Sequence, residues 1–164
     1  MDELAPAGGM LEVGSADGRD ALVLEGLGRQ VRRTDATRAF VDLLRLDEQQ
    51  AEVLNVLTDD LGGPYAGVLA DAVFLHFTPA QLSGVLGRVR ESLSPGRVLA
   101  FSVKVGQGTE WSSHKLGAPR FFRYWQEEPL RGLLADCGFD VLDLTTETGG
   151  VWVWLLVLAT PTGV

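Results

Sequence analysis

The stretch Leu11-Glu12-Val13-Gly14-Ser15-Ala16-Asp17-Gly18-Arg19-Asp20 decides the fold, and Asp35 follows it at the end of the next predicted strand. An apolar strand that runs into a glycine-containing turn and then into an amphipathic segment is typical of a βα junction. Glycine has no Cβ, so a ligand can approach the backbone at Gly14 and Gly18. Such a turn also occurs for packing reasons alone, and both interpretations stay open at this point.

The glycine spacing disfavours a dinucleotide-binding loop. In the pattern G-x-G-x-x-G counted from Gly14, the third glycine falls at position 19, which is Arg19, whereas glycine stands at position 18. Glu12 places a carboxylate two residues before Gly14, which suits a ligand with a cationic end better than a pyrophosphate. The pattern E-x-G-x-x-x-G followed by Asp35 resembles motif I of the class I S-adenosylmethionine (SAM)-dependent methyltransferases, (D/E)-x-G-x-G-x-G. Ala16 stands at the middle glycine, which costs little at a negative φ and more at a positive one.

The order of the other predicted elements strengthens this resemblance. Hydrophobic patterning predicts strands over 31–34, 51–57, 66–72, 98–103, 139–144 and 151–159, and a helix over 19–27. Thr78-Pro79-Ala80-Gln81 is a capping box that begins a further helix. The last two strands are joined by a short loop and are expected to pair antiparallel. The resemblance implies an α/β fold, a single Rossmann-like three-layer sandwich with a mostly parallel seven-stranded sheet that ends in an antiparallel hairpin, as in a methyltransferase type 11/25-like domain.

The resemblance also implies a SAM-binding site along the carboxyl ends of the strands. The residues expected to contact the cofactor are Glu12, Gly14, Ser15, Gly18, Asp35, Ala36, Asn55 and Asp71. Asp35 would accept hydrogen bonds from both ribose hydroxyls, whereas the alternative is an N-cap for the following helix. Asn55, after the third strand, would meet the adenine amino group. Asp71 is delivered to the same edge by the fourth strand.

Residues 106–125 form the least regular stretch and the candidate acceptor-binding region. The stretch is rich in aromatic and basic side chains, which predicts a binding loop or lid; the alternative is a packed surface loop that covers the sheet. The substrate candidates are Lys115, Arg120, Tyr124 and Trp125, and an acidic substrate would meet Lys115, Arg120 or Arg123. His76 and His114 are candidate general bases, with a histidine that caps or packs against the following helix as the alternative. Methyl transfer from a sulfonium depends largely on positioning, so no catalytic triad is expected.

Length and charge limit the remaining classes of protein. The 164 residues suit a single methyltransferase-like domain over 1–164, with only Met1 to Gly9 before the first strand, where the family usually has further helices. The net charge of −8 disfavours nucleic acid as the main partner. A single cysteine, Cys137, excludes an intrachain disulfide, and no Cys/His spacing indicates a metal site. With no secretion signal and no apolar run of membrane length, we expect a cytoplasmic protein without a membrane partner.

Three functional hypotheses follow from the sequence. The first is a methyltransferase that acts on an oxygen or nitrogen of a small molecule. The second is a non-catalytic binding or partner protein on the same fold, or a truncated fragment, which predicts an exposed apolar patch where the family's upstream helices would lie. The third, a nicotinamide-dependent enzyme, is disfavoured by Arg19 and by the terminal hairpin. The methyl acceptor and the oligomeric state are left open.

Overall fold

The computed structural model of the chain describes residues 9–113 and 117–163. The strands in these ranges are β1 (Met10–Val13), β2 (Val31–Asp35), β3 (Ala51–Val53), β4 (Tyr65–Ala70), β5 (Leu93–Lys104), β6 (Thr109–Ser112), β7 (Arg120–Arg123), β8 (Phe139–Gly149) and β9 (Trp152–Pro161). The helices are α1 (Arg19–Gly26), α2 (Arg38–Leu46), α3 (Pro79–Ser92) and α4 (Glu127–Asp136), and a 3₁₀-helix spans Phe74–His76.

The main sheet has seven strands in the order β3-β2-β1-β4-β5-β9-β8. The pairs among β1 to β5 are parallel, whereas β9 runs antiparallel to both β5 and β8. The crossovers from β1 to β2 and from β2 to β3 run in the same direction, so α1 and α2 lie on one face of the sheet, while α3 belongs to a crossover in the opposite direction and packs with α4 on the other face. The predicted fold class is confirmed.

Buried side chains fix the sheet between these helical layers. Leu11, Val68 and Leu99, on three adjacent strands, have no solvent exposure. The predicted capping box is present: the side chain of Thr78 accepts from the backbone N–H of Gln81, and the Gln81 side chain accepts from the backbone N–H of Thr78. Parallel strands that are covered on both faces align their carboxyl ends at one edge of the sheet, where loop residues can form a site.

Several strand predictions were wrong in length: β5 begins at Leu93 rather than at residue 98, and β4 ends at Ala70 rather than at residue 72. β3 ends at Val53 rather than at Leu57, because the backbone carbonyl of Asn55 accepts from the N–H groups of Thr58 (3.0 Å) and Asp59 (2.8 Å) and closes a turn. β8 continues beyond residue 144 to Gly149, which pairs with Trp152. The short loop between the last two strands therefore consists of residues 150–151.

The stretch 106–125 is more regular than the sequence suggested. β6 and β7 pair antiparallel, with Trp111 opposite Phe121 and Ser112 opposite Arg120. The adjacent residues Phe121 and Phe122 point to opposite faces of β7, where Phe121 contacts Trp111 and Phe122 contacts His76. The expectation of an irregular connection is wrong for these two arms. None of the helices in the described ranges combines the length and apolarity that a membrane crossing requires.

Candidate functional site

The glycine loop between β1 and α1 is closely approached by the segment after β4. Gly14 has φ +77°, and a Cβ on it would lie 2.4 Å from Cγ2 of Val73. Gly18 has φ +75°, and a Cβ there would lie 2.7 Å from Cδ2 of Leu44 on α2. Gly14 therefore permits the contact between two loops at the sheet edge, whereas Gly18 permits packing of α1 against α2.

Ala16 occupies the position where the resembled motif has its middle glycine. Its φ is +45°, in the left-handed region, so the cost anticipated for a positive φ applies here. Its backbone N–H donates to Oδ2 of Asp35 at 3.0 Å. The loop is thus tied to the end of the neighbouring strand.

Asp35 is a buried carboxylate that connects two elements. Its Oδ1 accepts from the backbone N–H of Thr37 at 2.7 Å, and its Oδ2 accepts from Ala16. The N-cap of α2 is Thr37, so the interpretation of Asp35 as that cap is wrong. Ala36, beside it, is exposed. Each Asp35 oxygen retains lone-pair capacity for a further donor, which a ribose hydroxyl can supply.

Three further carboxyl groups lie near this edge. Glu12 is 3% exposed and accepts from the Ser15 hydroxyl; burial raises its pKa, and the hydrogen bond from Ser15 partly opposes that. Burial, followed by the charge of Asp71, raises the pKa of Asp20 in the first turn of α1. Asp71 accepts from the Ser102 hydroxyl of β5. The resulting negative potential complements a cationic ligand group.

Asn55 is placed in the turn after β3. Its side-chain oxygen accepts from the backbone N–H of Leu57 at 3.0 Å, and its own backbone N–H donates to Asp59 at 2.8 Å. That bond lowers the pKa of Asp59. The Asn55 side chain thus stabilises the turn, and its contact with an adenine amino group stays a prediction.

His76 ends the 3₁₀-helix that follows Val73. Its Nδ1 lies 2.8 Å from the backbone carbonyl of Phe121, and because a carbonyl only accepts, Nδ1 carries the proton and Nε2 has the lone pair. Burial lowers the His76 pKa; the hydrogen bond to Phe121 opposes this, and the charges of Arg120 and Lys104 add smaller decreases, so the net shift favours the neutral ring. The ring packs against Phe122 on β7, at 4.7 Å between centroids, rather than against the following helix.

The aromatic surface around His76 is shared by two cations. The Lys104 ammonium lies 3.8 Å from the Trp152 ring centroid and 4.8 Å from that of Phe122. The Arg120 guanidinium lies 5.2 Å from the Phe122 centroid. We refer to His76, Lys104, Arg120, Phe122 and Trp152 as the acceptor face.

The remaining acceptor-region candidates are distributed differently. Tyr124 stacks on Trp152 at 5.8 Å and donates to Glu110 at 2.7 Å; burial and this bond raise its pKa to about 12. Trp125 is 3% exposed and belongs to the core, with Arg123 over its ring at 4.7 Å. Lys115 and His114 lie outside the described residues. The structure therefore places Arg120 and Tyr124, but not Trp125, at the acceptor face or beside it.

The opposite edge of the sheet has a cleft of about 660 Å³. Its arginines are engaged within the chain: Arg32 with Glu52, Arg33 with Glu25, and Arg45 with the carbonyl of Ala51. The cleft lies at the amino ends of β1, β2 and β3, away from the glycine loop. In the described ranges, no group of three His, Cys, Asp or Glu side chains is arranged to hold a metal ion.

Comparison with solved structures assigns the architecture. A SAM-dependent methyltransferase from Methanosarcina mazei superposes with a TM-score of 0.83 at 17% identity, covering 98% of this chain and 95% of that one. The chain has the fold of SAM-dependent methyltransferases. The glycopeptide N-methyltransferase MtfA in complex with SAM matches with a TM-score of 0.77 at 17% identity, covering 96% and 89%.

A third match with the methyltransferase fold has bound ligands. The 1,6-didemethyltoxoflavin-N1-methyltransferase from Burkholderia thailandensis, with 1,6-didemethyltoxoflavin and S-adenosylhomocysteine, has a TM-score of 0.74 at 20% identity, covering 95% of this chain and 72% of that one. No protein-family model matches the chain, and no curated protein matches it by sequence. At these identities the likeness establishes the methyltransferase fold, and the site rests on the residues themselves.

Three residues near the edge formed by the carboxyl ends of the parallel strands were not predicted from the sequence. Asp20 lies two residues after Gly18, in the first turn of α1, and its position next to the predicted site was a usable signal. Lys104 is the last residue of β5 and lies at the same edge of the sheet as Asp71. The predicted strand ended at residue 103, one residue before it. Trp152 lies opposite Gly149 in the hairpin, and nothing in its local pattern indicates that Lys104 packs on it.

Proposed function

We propose that this protein is a SAM-dependent methyltransferase that transfers the methyl group to an oxygen or nitrogen of a small molecule. The observation that carries the proposal is the bond from the Ala16 N–H in the glycine loop to Asp35 at the end of β2, in a chain with the methyltransferase fold. The two elements that the resemblance assigns to the cofactor are thereby joined. MtfA, which shares this fold, has been crystallised in complex with SAM, with S-adenosylhomocysteine and with sinefungin.

The chemistry of this edge fits the cofactor. Asp35 has lone pairs for the ribose hydroxyls, and the carboxylates of Glu12 and Asp71 complement the positive charges of the methionine part. Gly14 keeps the loop free of a Cβ where it meets Val73. When bound, SAM supplies a methyl carbon already activated by the sulfonium.

His76 is the candidate general base. Val73, which contacts Gly14, and His76 are three residues apart, so the 3₁₀ rise places their Cα atoms about 6 Å apart along the helix axis. The lone pair of the neutral Nε2 would take up the proton that an acceptor O–H or N–H gives up on methylation. The bond from Nδ1 to Phe121 holds the ring in the tautomer that this role requires.

Calorimetric titration with S-adenosylhomocysteine tests the proposal. We expect micromolar binding by the natural sequence and loss of at least tenfold in affinity in Asp35→Ala, since a charged hydrogen-bond acceptor is removed. Asp143→Ala, which removes an exposed carboxylate from β8, is the matched control and should bind normally. Absence of binding to the natural sequence, or equal loss in both variants, refutes the proposed cofactor site.

A non-catalytic partner-binding protein is the second candidate, and one observation favours it. Leu27, the residue after α1, is 73% exposed, and Leu46 on α2 is 79% exposed; both helices lie on the same face of the sheet. Exposed apolar groups of this kind occur at protein interfaces. This candidate predicts no S-adenosylhomocysteine binding together with self-association or partner binding that Leu27→Glu abolishes, as measured by sedimentation.

A further inference from the structure

The acceptor face carries two positive charges around one aromatic ring. The ammonium of Lys104 lies 4.8 Å from the centroid of the Phe122 ring, and the guanidinium of Arg120 lies 5.2 Å from it. The ring is 8% exposed, so both cations are held against a buried group. In a chain with a net charge of −8, this is a local reversal of sign. Desolvation at such a surface strengthens the attraction of an incoming anion.

Within the described residues, Arg120 forms no ion pair and has one donor without a hydrogen-bond partner. The five ion pairs within the described ranges involve other arginines. The Nε–H of Arg120 is buried and has no hydrogen-bond partner there. Its cross-strand neighbour is Ser112, while the hairpin's carboxylate, Glu110, accepts from the hydroxyl of Tyr124. The guanidinium of Arg120 is thus incompletely paired within the described residues, and a carboxylate would be bound through its terminal nitrogens.

The acceptor face is positively charged, whereas the edge of the sheet proposed to bind the cofactor, with Glu12, Asp20 and Asp71, is negatively charged. Asp20 and Asp71 lie close enough for the charge of Asp71 to raise the pKa of Asp20, whereas Lys104 and Arg120 together lower that of His76. His76 and Asp71 belong to the same short segment after β4. A cationic cofactor at the carboxylates and an anionic acceptor at Lys104 and Arg120 would match this change in electrostatic potential.

We infer that the methyl acceptor is a small organic acid whose carboxylate is bound by Arg120 and Lys104 and whose apolar body lies against Trp152. This inference rests on the proposed function, since it names the substrate class of the same site. The planar guanidinium matches a carboxylate in a two-bond geometry, and its packing on Phe122 limits its orientations. The Trp152 side chain is 39% exposed and so offers ring surface to a ligand. An acid bound in this way presents its O–H or N–H toward the His76 side of the face.

Calorimetry with paired probes tests the inference. We use 4-hydroxybenzoate against 4-hydroxybenzamide, and indole-3-acetate against indole-3-acetamide, each titrated with and without saturating S-adenosylhomocysteine. At least one acid should bind at least tenfold more tightly than its amide. Arg120→Gln should lower the affinity for that acid by about tenfold and leave the affinity for the amide unchanged. Arg120→Lys should restore part of the affinity because it retains the charge. A higher salt concentration should weaken binding of the acid but not of the amide.

Arg97→Gln is the matched control, because it removes an equal charge from an exposed position at the amino end of β5. Equal weakening in Arg97→Gln and Arg120→Gln, or no preference for either acid over its amide, overturns the inference. Binding of S-adenosylhomocysteine is recorded in the same samples. If it binds and the acids show no preference, the inference fails and the proposed function stands. If it does not bind and an acid still depends on Arg120, the anion site stands and the proposed function fails.

Discussion

Glu12 is a buried carboxyl group whose ionisation opposes folding of the chain without ligand. Its ordinary pKa is 4.5, and burial raises the pKa in the folded state. Because the folded chain then binds the proton more tightly than the unfolded chain, the free energy of unfolding falls as pH rises from 4.5 through the folded pKa. A charge kept at such a cost is typical of a binding site, where a cationic ligand offsets it.

Glu12→Gln removes that dependence. We expect the variant to lose less stability than the natural sequence between about pH 4 and about pH 8, as measured by urea unfolding across the range. Glu147→Gln, at an exposed position on β8, is the control and should follow the natural sequence. Identical pH profiles for Glu12→Gln and the natural sequence contradict the prediction. Because Gln keeps the shape but not the charge, the same variant should bind S-adenosylmethionine more weakly.

At the scale of elements, His76 joins the segment after β4 to the β6–β7 hairpin. The bond from Nδ1 to the carbonyl of Phe121 and the ring contact with Phe122 both cross this junction. The imidazole thus reports whether the hairpin is docked, and its protonation depends on charges that the hairpin carries. An undocked hairpin would leave a solvated histidine with an ordinary pKa.

NMR titration measures this arrangement without a known acceptor. We expect the imidazole signal that disappears in His76→Gln to titrate below pH 6.5, because burial and the charges of Arg120 and Lys104 disfavour its protonation. ¹⁵N shifts should identify the Nδ1–H tautomer. Arg120→Gln should raise the pKa of His76, and Arg97→Gln should leave it unchanged. A His76 pKa at or above 6.5, or the other tautomer, contradicts the docked geometry.

The elements also indicate what a sequence can predict. The glycine loop, the capping box at Thr78 and the terminal hairpin are local patterns, so they were predicted correctly. β3 was predicted too long, because the turn at Asn55 depends on its side-chain and backbone bonds rather than on an apolar pattern. The acceptor face joins residues from β5, β7 and β9 with His76, and contacts between residues so far apart in sequence leave no local signal. Asp35 was located correctly, but its bond to Ala16 is visible only in the fold.

At the scale of the whole molecule, the sheet separates an acidic edge from a basic face. Carboxylates gather where β1, β2 and β4 end, and the two cations of the acceptor face lie beyond them on β5 and β7. A nicotinamide dinucleotide would bring its pyrophosphate to the carboxylates, whereas S-adenosyl ligands bring positive charge there. The charge distribution, like the glycine spacing, therefore favours the methyltransferase hypothesis over that of a nicotinamide-dependent enzyme.

Thermal unfolding of the complete chain measures this discrimination. At a concentration one hundred times its Kd, a ligand that binds only the folded state stabilises it by about 2.7 kcal/mol. For a domain of 164 residues this corresponds to a rise in Tm of about 5 to 10 °C. We expect that rise with S-adenosylhomocysteine, none with NADH at the same concentration, and a rise of about half or less with S-adenosylhomocysteine in Asp35→Ala, whose affinity is at least tenfold weaker. A rise with NADH alone would reverse the assignment, because the carboxylates would then have to tolerate a pyrophosphate. Equal rises with both would mean that the ligands share only the adenosine part of the site, and Glu12→Gln would then weaken neither.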